Sequence, residues 1–383
     1  MASASAVTSA ADTRLHTPFG DFTLARYPAR QPEPLQAWCS ADNLLLQEAH
    51  ERSGTYSSSL VVNDEHGALS TALQPRALWT DSALSARAVQ DNLQRNGLAP
   101  VPRVWSTAQP DFPPDCVVLR IPKQLAYFEH QLQQLAAIMS PESVLLAAGM
   151  DKHLSPHTAA LVERYIGPTQ RHRGQRKARL FSATLVEGSK DAPAVPPASY
   201  FCETLGNELI ALPNVFSRDR LDPGSRLMLQ QLDKLDTAER VADLACGNGV
   251  LGLVAGHRGL TRNLLFCDES AMAIASARIN AGETLPPFAG RVAFHHGDGL
   301  RDYAGAPNDL ILCNPPFHLN HAVDDFAGRR LLTDSARALG SGGRLCVVAN
   351  RHLDYRSTLH RHFERVKKLA QDSKFIVWLA QKC

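Results

Sequence analysis

The sequence predicts an α/β protein made of two tandem domains, and two observations support this fold class. In the second half of the chain, short apolar runs at residues 240–244, 264–268, 292–298 and 309–313 alternate with helix-like segments. In the first half, comparable runs return in the same order at residues 60–69, 78–82, 116–123 and 144–153. Two copies of one α/β unit explain both halves.

A Pro/Ala-rich stretch separates the two halves. Residues 190–199 show no apolar periodicity, which is typical of a linker. A chain of 383 residues with 44% hydrophobic residues is long and apolar enough for two cores. We predict a first domain at residues 1–189, a linker at 190–200 and a second domain at 201–383.

A glycine-rich loop follows the first strand of the second domain. Gly247 and Gly249 permit a tight turn and the close approach of a ligand. With Gly252 they also match the dinucleotide pattern G-x-G-x-x-G, and Asp268 ends the next strand where an acid binds ribose hydroxyls in either cofactor class. No Gly-Lys-Ser/Thr follows, which argues against a P-loop. The glycines alone therefore leave a nicotinamide-dependent oxidoreductase open.

The segment Asn314-Pro315-Pro316-Phe317 follows the fourth strand. Its prolines remove backbone donors and force the chain out of the sheet. An amide, proline carbonyls and an aromatic ring suit a planar amino group on a heterocycle or an amide: the Asn314 oxygen and the Pro315 carbonyl accept its two N–H groups, and Phe317 stacks on its face. We predict Asn314, Pro315 and Phe317 as the catalytic residues.

Acid, glycine loop, ribose acid, third acid and Asn-Pro-Pro-Phe together resemble the class I S-adenosylmethionine-dependent methyltransferases, most of all the branch that methylates exocyclic amino or amide nitrogens. The resemblance implies two tandem Rossmann-like methyltransferase domains and S-adenosylmethionine as cofactor. It implies that Asp243 and Gly247 hold the methionine end, Asp268 the ribose and Asp298 the adenine amino group. The other cofactor residues implied are Cys246, Asn248, Gly249, Glu269, Gly299 and Asn314. Ala245 departs from the glycine that is frequent in the family.

The first domain has lost this chemistry. Without gaps, Val61 stands opposite Asp243 and Glu65 opposite Gly247, where a side chain would crowd a cofactor. Residues 120–123, Arg-Ile-Pro-Lys, replace the Asn-Pro-Pro-Phe segment. Asp81 stands opposite Asp268, although an acid there more often caps the following helix. We predict a degenerate methyltransferase-like domain with an RNA-binding or structural role.

The duplicated inactive half and residues 214–227, 314–318 and 349–353 make the chain similar to the bacterial ribosomal RNA guanine-N2 methyltransferases. Residues 22–28 and 350–355 make it most similar to the branch that acts on large-subunit RNA. The resemblance implies methylation of a guanine 2-amino group in a single-stranded or flipped-out nucleotide. Alternatives are a guanine of small-subunit RNA, adenine N6 in DNA, a glutamine amide, or an RNA-binding assembly protein that no longer catalyses.

Cationic residues predict where RNA binds. Net charge is only +2, so a local patch is required, and residues 171–179 supply one before a predicted strand at 180–185. The residues predicted to contact RNA are Arg171, Arg173, Arg176, Lys177 and Arg351. The eight cysteines lack zinc spacing and suggest buried free thiols, with no metal. We expect no signal peptide, no membrane span, no obligate protein partner and a cytoplasmic location.

Overall fold

The computed structural model of the chain describes residues 11–52, 58–186, 195–285, 291–316 and 325–383. The chain divides into a first unit, Met1–Pro196, and a second unit, Pro197–Cys383. Residues 190–194 of the predicted linker and the catalytic candidate Phe317 lie outside the described residues.

The first unit contains a seven-stranded sheet in the order β5-β4-β3-β6-β7-β9-β8, with a separate hairpin of β1 and β2. Strands β3 to β7 pair in parallel, and β9 and β8 close one edge in antiparallel pairing. Its strands are β1 Arg14–Thr17, β2 Gly20–Thr23, β3 Ser59–Val62, β4 Ala77–Thr80, β5 Arg103–Trp105, β6 Cys116–Arg120, β7 Val144–Met150, β8 Thr169–Arg171 and β9 Ala178–Thr184. Its helices are α1 Ser40–Glu51, α2 Ala68–Leu73, α3 Ala83–Arg95, α4 Leu125–Ile138 and α5 Thr158–Tyr165.

The second unit repeats this topology, with a seven-stranded sheet in the order β14-β13-β12-β15-β16-β18-β17 and a hairpin of β10 and β11. Its strands are β10 Ala198–Cys202, β11 Asn207–Ala211, β12 Arg240–Leu244, β13 Asn263–Asp268, β14 Val292–His296, β15 Asn308–Cys313, β16 Leu339–Asn350, β17 Arg365–Gln371 and β18 Phe375–Gln381. Its helices are α6 Pro223–Leu229, α7 Val250–His257, α8 Ala271–Thr284, α9 Phe326–Ala338 and α10 Tyr355–His362. The two tandem Rossmann-like domains predicted from the sequence are confirmed.

The central strands form because their sequences are short apolar runs covered on both faces. All residues of β3 are buried, as are five of the six residues of β15. Such strands carry no polar alternation, which is typical of parallel sheets with helices on both sides. Helices α3 and α8 each begin at a serine: Ser82 Oγ accepts from the Ser85 N–H and Ser270 Oγ accepts from the Ala273 N–H, each at 3.1 Å.

Backbone geometry supports the predicted alignment of the two first loops. Gly67 and Gly249, which precede α2 and α7, have φ values of 92° and 89°. Asn63 and Ala245 also share the left-handed region, at 60° and 58°. In each unit an asparagine of the next helix, Asn92 or Asn280, bonds the carbonyl that precedes this glycine. The duplication therefore extends to individual hydrogen bonds.

The predicted place of Asp81 was wrong by one residue. Val61 pairs with Leu78 and Asp243 pairs with Phe266, so Thr80 stands opposite Asp268. The shift agrees with the helix caps, since Ser82 then falls opposite Ser270. Asp81 does not cap α3; its carboxylate accepts a hydrogen bond from Ser106 Oγ. Asp268, which the resemblance assigns to the ribose, thus has Thr80 as its counterpart in the first unit.

Among the described residues, no helix is both long and apolar enough to span a membrane. Nor do they contain a group of three or more His, Cys, Asp or Glu side chains placed to hold a metal ion. All eight cysteines are free thiols, and six of them are buried.

Candidate active site

The predicted site residues of the second unit come together at the carboxyl edge of its sheet. Asp243 lies near the end of β12, Asp268 ends β13 and Asn314 directly follows β15. Strand β12 pairs with β13 on one side and with β15 on the other, so the strand order reverses here. Doubly wound sheets bind their ligands at such a switch point, outside the carboxyl ends of the strands.

The glycine loop provides room for a ligand at one position and close packing at two others. Gly247 has a φ of 55°, and a Cβ built on it meets nothing within 4 Å. By contrast, a Cβ on Gly249 or Gly252 would approach the Phe266 ring to 3.1 Å or 2.6 Å. Gly252 therefore lets α7 pack on β13, while Gly247 leaves open space beside the loop.

Asp243 presents an unused acceptor in a buried position. Its Oδ2 accepts the Gly252 N–H at 2.8 Å, while Oδ1 is buried without a hydrogen-bond partner in the described structure. Burial raises the pKa of Asp243 to about 8, and the charge of Asp268 adds to the increase. A buried carboxylate with a free oxygen fits a cationic ligand group, as the ammonium and sulfonium of S-adenosylmethionine would supply.

Asp268 ties the glycine loop to the second strand. Its Oδ2 accepts the Gly247 N–H and its Oδ1 accepts the Ser270 N–H, both at 2.9 Å. The neighbouring residue Glu269 uses its backbone carbonyl to bond His296 Nε2. The carboxylate of Asp268, at the end of β13, therefore holds the open position at Gly247 in place.

Asp298 is held by a partner that the sequence did not indicate. Arg330 of α9 contacts both of its carboxylate oxygens, with Nη1 at 2.7 Å from Oδ2. The side chains of Arg330 and Asp298 are only 12% and 4% exposed. Arg330, one of the cationic residues of the second half, is thus part of a buried ion pair and fixes the acid expected at the adenine end.

Asn314 is oriented by two residues that precede the first strand of the sheet. Its Nδ2 donates to Asp222 Oδ2 at 3.0 Å and to Ser225 Oγ at 2.9 Å. A carboxylate can only accept, so the amide nitrogen must face Asp222. The Asn314 Oδ1 is then turned away, and it is buried with no hydrogen-bond partner among the described residues.

Asp222 and Ser225 are functional candidates that the sequence analysis missed. Asp222 is the N-cap of α6, where its Oδ2 accepts the Ser225 N–H at 2.8 Å, and Pro223 occupies the first turn. An Asp-Pro pair ahead of a helix is a recognisable cap signal. That signal predicts the start of α6, but it cannot show that the cap also contacts a residue 92 positions away.

The remaining cofactor candidates line the same loops. Cys246 is buried, and burial raises the pKa of its thiol. Asn248 Nδ2 donates to the Tyr200 hydroxyl at 3.1 Å, so its side chain also holds the loop against β10. Gly299, after β14, has a φ of 58° that favours glycine. Pro315 is buried directly after Asn314. Their contacts with a ligand stay a prediction.

The candidate RNA contacts divide into two places. Arg171, Arg173, Arg176 and Lys177 are exposed at the β8–β9 hairpin of the first unit. Arg351 follows β16 of the second unit, where its Nη1 lies 3.4 Å from the carbonyls of Asp372 and Ser373. No residue of this set is buried. Contact with phosphates requires such exposure.

At the switch point of the first unit, side chains pair with one another at the position where the second unit has the unpartnered Asn314 oxygen. Arg120 stands opposite Asn314, because Val61 pairs with Val118 as Asp243 pairs with Leu312. Its guanidinium forms a buried ion pair with Asp42 of α1. Asn63 Nδ2 donates to the Arg120 carbonyl and to Gln131 Oε1, both at 2.9 Å. These contacts engage the Arg120 side chain and carbonyl, at the position where the second unit presents Asn314.

Two family models cover the chain, the RLMG N-terminal domain at residues 12–187 and the methyltransferase small domain at residues 206–379. The ribosomal RNA large subunit methyltransferase G of Ectopseudomonas mendocina is 41% identical over 96% of this chain and 99% of its own length. The protein of the same name from Aeromonas hydrophila is 39% identical over 97% and 99%.

A solved structure shares the complete fold. The 16S rRNA N2 methyltransferase RsmC of T. thermophilus, in complex with AdoMet and guanosine, matches with a TM-score of 0.76 at 21% identity, covering 97% of this chain and 98% of that chain.

The sheet order, glycine loop and strand-end acids define the second unit as a class I methyltransferase domain. The identity over nearly the whole chain then gives the particular group. The chain belongs to the family of the ribosomal RNA large subunit methyltransferase G proteins, and the resemblance drawn from the sequence is confirmed.

Proposed function

We propose that the second unit transfers a methyl group from S-adenosylmethionine to the exocyclic N2 amino group of a guanine in large-subunit ribosomal RNA. The observation that carries this proposal is the Asn314 amide. Its nitrogen is held by Asp222 and Ser225, and its buried oxygen is unused. An oriented acceptor of this kind suits an amino group attached to a planar ring.

The Asn314 oxygen and the Pro315 carbonyl accept the two N–H groups of guanine N2. This favours a more pyramidal nitrogen and points its lone pair, otherwise delocalised into the ring, toward the methyl donor. Positioning and preorganised acceptors can supply most of the rate enhancement in such a step. The surplus proton then leaves to water, and no dedicated base is required.

When bound, S-adenosylmethionine supplies a methyl group activated by its sulfonium. We assign Asp243 and Gly247 to its methionine end, Asp268 to its ribose and Asp298 to its adenine amino group. The orphaned Asp243 Oδ1 and the open space at Gly247 fit this assignment. Asp298 retains acceptor capacity beside Arg330, because each carboxylate oxygen has more than one lone pair.

The choice of large-subunit RNA is supported by the curated relatives, which carry that name at 39–41% identity. RsmC, whose name specifies 16S rRNA, shares the fold at only 21% identity. A base within a duplex cannot reach the Asn314 amide, so the target guanine must be single-stranded or flipped out. A ribosomal RNA substrate would also place the enzyme in the cytoplasm.

Methyl transfer to RNA from a strain lacking this gene tests the proposal. The purified chain and isotopically labelled cofactor are incubated separately with protein-free 23S RNA, 16S RNA, DNA and protein from that strain. The expected product is N2-methylguanosine at one site of 23S RNA. Methylation confined to 16S RNA, to adenine or to a glutamine would contradict it, and the Asn314→Ala chain serves as the inactive control.

A further inference from the structure

The tip of the β8–β9 hairpin is a strained turn made of two cationic residues. Gln175 N–H donates to the Ala178 carbonyl at 2.9 Å and Ala178 N–H donates back at 2.8 Å. Between them, Arg176 and Lys177 have φ values of 46° and 62°. Two central residues with positive φ define a type I′ turn, for which Asn-Gly is the favoured pair.

The corresponding hairpin of the second unit has no such strain. Strands β17 and β18 are joined through Asp372, whose Oδ1 accepts the N–H groups of Lys374 and Phe375 at 2.7 Å and 2.6 Å. No residue from 372 to 374 has a positive φ. The fold can therefore close this edge of the sheet with an ordinary turn. The first unit instead uses a strained Arg-Lys pair, whose Lys177 carbonyl accepts the Asp151 N–H at 2.8 Å.

The side chains of the hairpin divide into inward and outward sets. His172 is held inward by Ser182 Oγ at 2.8 Å, whereas Arg179 is exposed and pairs with Asp151 at 3.2 Å. Arg171, Arg173, Arg176 and Lys177 are exposed, and none has an acidic partner within the part of the chain that the structure describes. Strand β8 is the outermost strand of its sheet, so these four charges project from an edge.

We propose that this hairpin is a phosphate-binding contact for RNA, in which the strained turn holds Arg176 and Lys177 outward. Unpaired, preordered cations on a projecting edge suit the sugar-phosphate backbone, which needs charge and position but no base contact. A membrane surface fits less well, because none of the large apolar side chains exposed in the described structure lies between residues 169 and 184. The inference rests on the proposed function for the nature of its RNA.

The double change Arg176→Asn and Lys177→Gly tests this, because it should raise thermal stability and lower RNA affinity. It installs the favoured type I′ pair, so the melting temperature of the full chain should rise by a few degrees. It also removes two cations, so affinity for a labelled single-stranded RNA should fall, with a salt slope lower by about 0.7 for each phosphate that is no longer neutralised. The matched control is Arg95→Gln with Arg103→Gln, which removes one exposed charge from the end of α3 and one from β5, the opposite edge strand of the same sheet.

Greater thermal stability with weaker RNA binding, and little change in the control, would support the proposal. An unchanged salt slope would overturn it, and so would an equal loss of RNA affinity in the control. It would also be overturned if the double change weakened binding to phosphatidylserine vesicles and left RNA binding unchanged. Binding is measured in the Asn314→Ala background, where turnover does not contribute. Failure of the proposed function would look different: the wild-type chain would bind RNA through the hairpin and yet methylate neither ribosomal RNA.

Discussion

The two units have nearly the same backbone conformation at their switch points but carry different side chains there. Gly67 and Gly249 differ by only 3° in φ, from 92° to 89°, and Asn63 and Ala245 by 2°, from 60° to 58°. In the second unit the end of the parallel strand carries an amide with an unused oxygen, whereas in the first it carries Arg120 paired with Asp42. Chemistry in this fold is therefore decided by a few side chains, with the loop geometry retained in both copies.

The largest expected effect is on the stability of the first unit. Asp42→Asn leaves the buried Arg120 guanidinium without its counter-charge, which typically costs about 3–5 kcal/mol. Chemical denaturation should show this loss, while the turnover of the molecules that remain folded should be unchanged. A fall in kcat without a fall in stability would mean that the first unit still takes part in the chemistry.

Asn314→Ala should show the reverse pattern. Loss of one oriented acceptor is expected to reduce kcat by roughly 10²–10³, about 3–4 kcal/mol, because the amine is no longer aligned. Cofactor affinity should survive, and RNA affinity should fall little, since phosphate contacts carry most of it. Single-turnover methylation of 23S RNA measures the change, and near-normal turnover would remove Asn314 from its assigned role.

The two buried acids at the first loops should differ in pH dependence. With the pKa of Asp243 raised to about 8 by burial, the ligand-free carboxyl is protonated at neutral pH, and a bound cation would favour its ionised form. Cofactor affinity should then rise with pH, by up to about tenfold per pH unit, and level off above the pKa.

Calorimetry in buffers of different ionisation enthalpy should also detect proton release on binding, with one cofactor bound per chain. Asp243→Asn should abolish the pH dependence. Asp64, a buried acid at the first loop of the first unit, accepts the Gly67 and Ser70 N–H groups, and Asp64→Asn should leave the pH dependence unchanged. In the absence of cofactor, the pH dependence of stability runs in the opposite direction. The folded state holds a proton that the carboxyl of the unfolded chain loses near its ordinary pKa of 3.8, so the stability contribution falls as pH rises toward about 8.

Asp222→Asn should give the smallest effect. Asparagine still caps α6, but it replaces a charged hydrogen bond to the Asn314 amide by a neutral one. A difference of about 1 kcal/mol corresponds to a loss of roughly fivefold to tenfold in kcat. The melting temperature should barely change; a large loss of stability with normal kcat would show that Asp222 only supports the helix.

What the sequence predicted well lies within single strands and the loops that follow them. The resemblance assigns Asp243, Asp268 and Asn314 to one cofactor site, and they meet in the structure because the carboxyl ends of parallel strands share one edge. What it missed depends on contacts between distant segments: Asp222 with Asn314, and Arg330 with Asp298. Chain order gives no information about which helix packs over a strand end.

Two other differences have local causes. The predicted alignment of Asp81 with Asp268 was wrong by one residue. Residue similarity does not fix which side chain ends a strand, whereas the strand register does. The Arg-Lys turn was not predicted because these residues are not turn formers, although both have positive φ values in the structure.

The carboxylate of Asp64 shows how the two copies keep one structural contact with acids from different positions of the chain. In the second unit Asp243 serves the Gly252 N–H at the start of α7; in the first, Asp64 bonds the matching Ser70 N–H at 2.7 Å, from three positions further along the chain. The two units thus hold the same helix N-terminus with acids from different positions, and Val61 occupies the strand position of Asp243. An acid introduced at Val61 alone would bury a second carboxylate near the first, because Val61 and Asp64 are both buried. The arrangement of the second unit could therefore be built into the first only by changing both positions together.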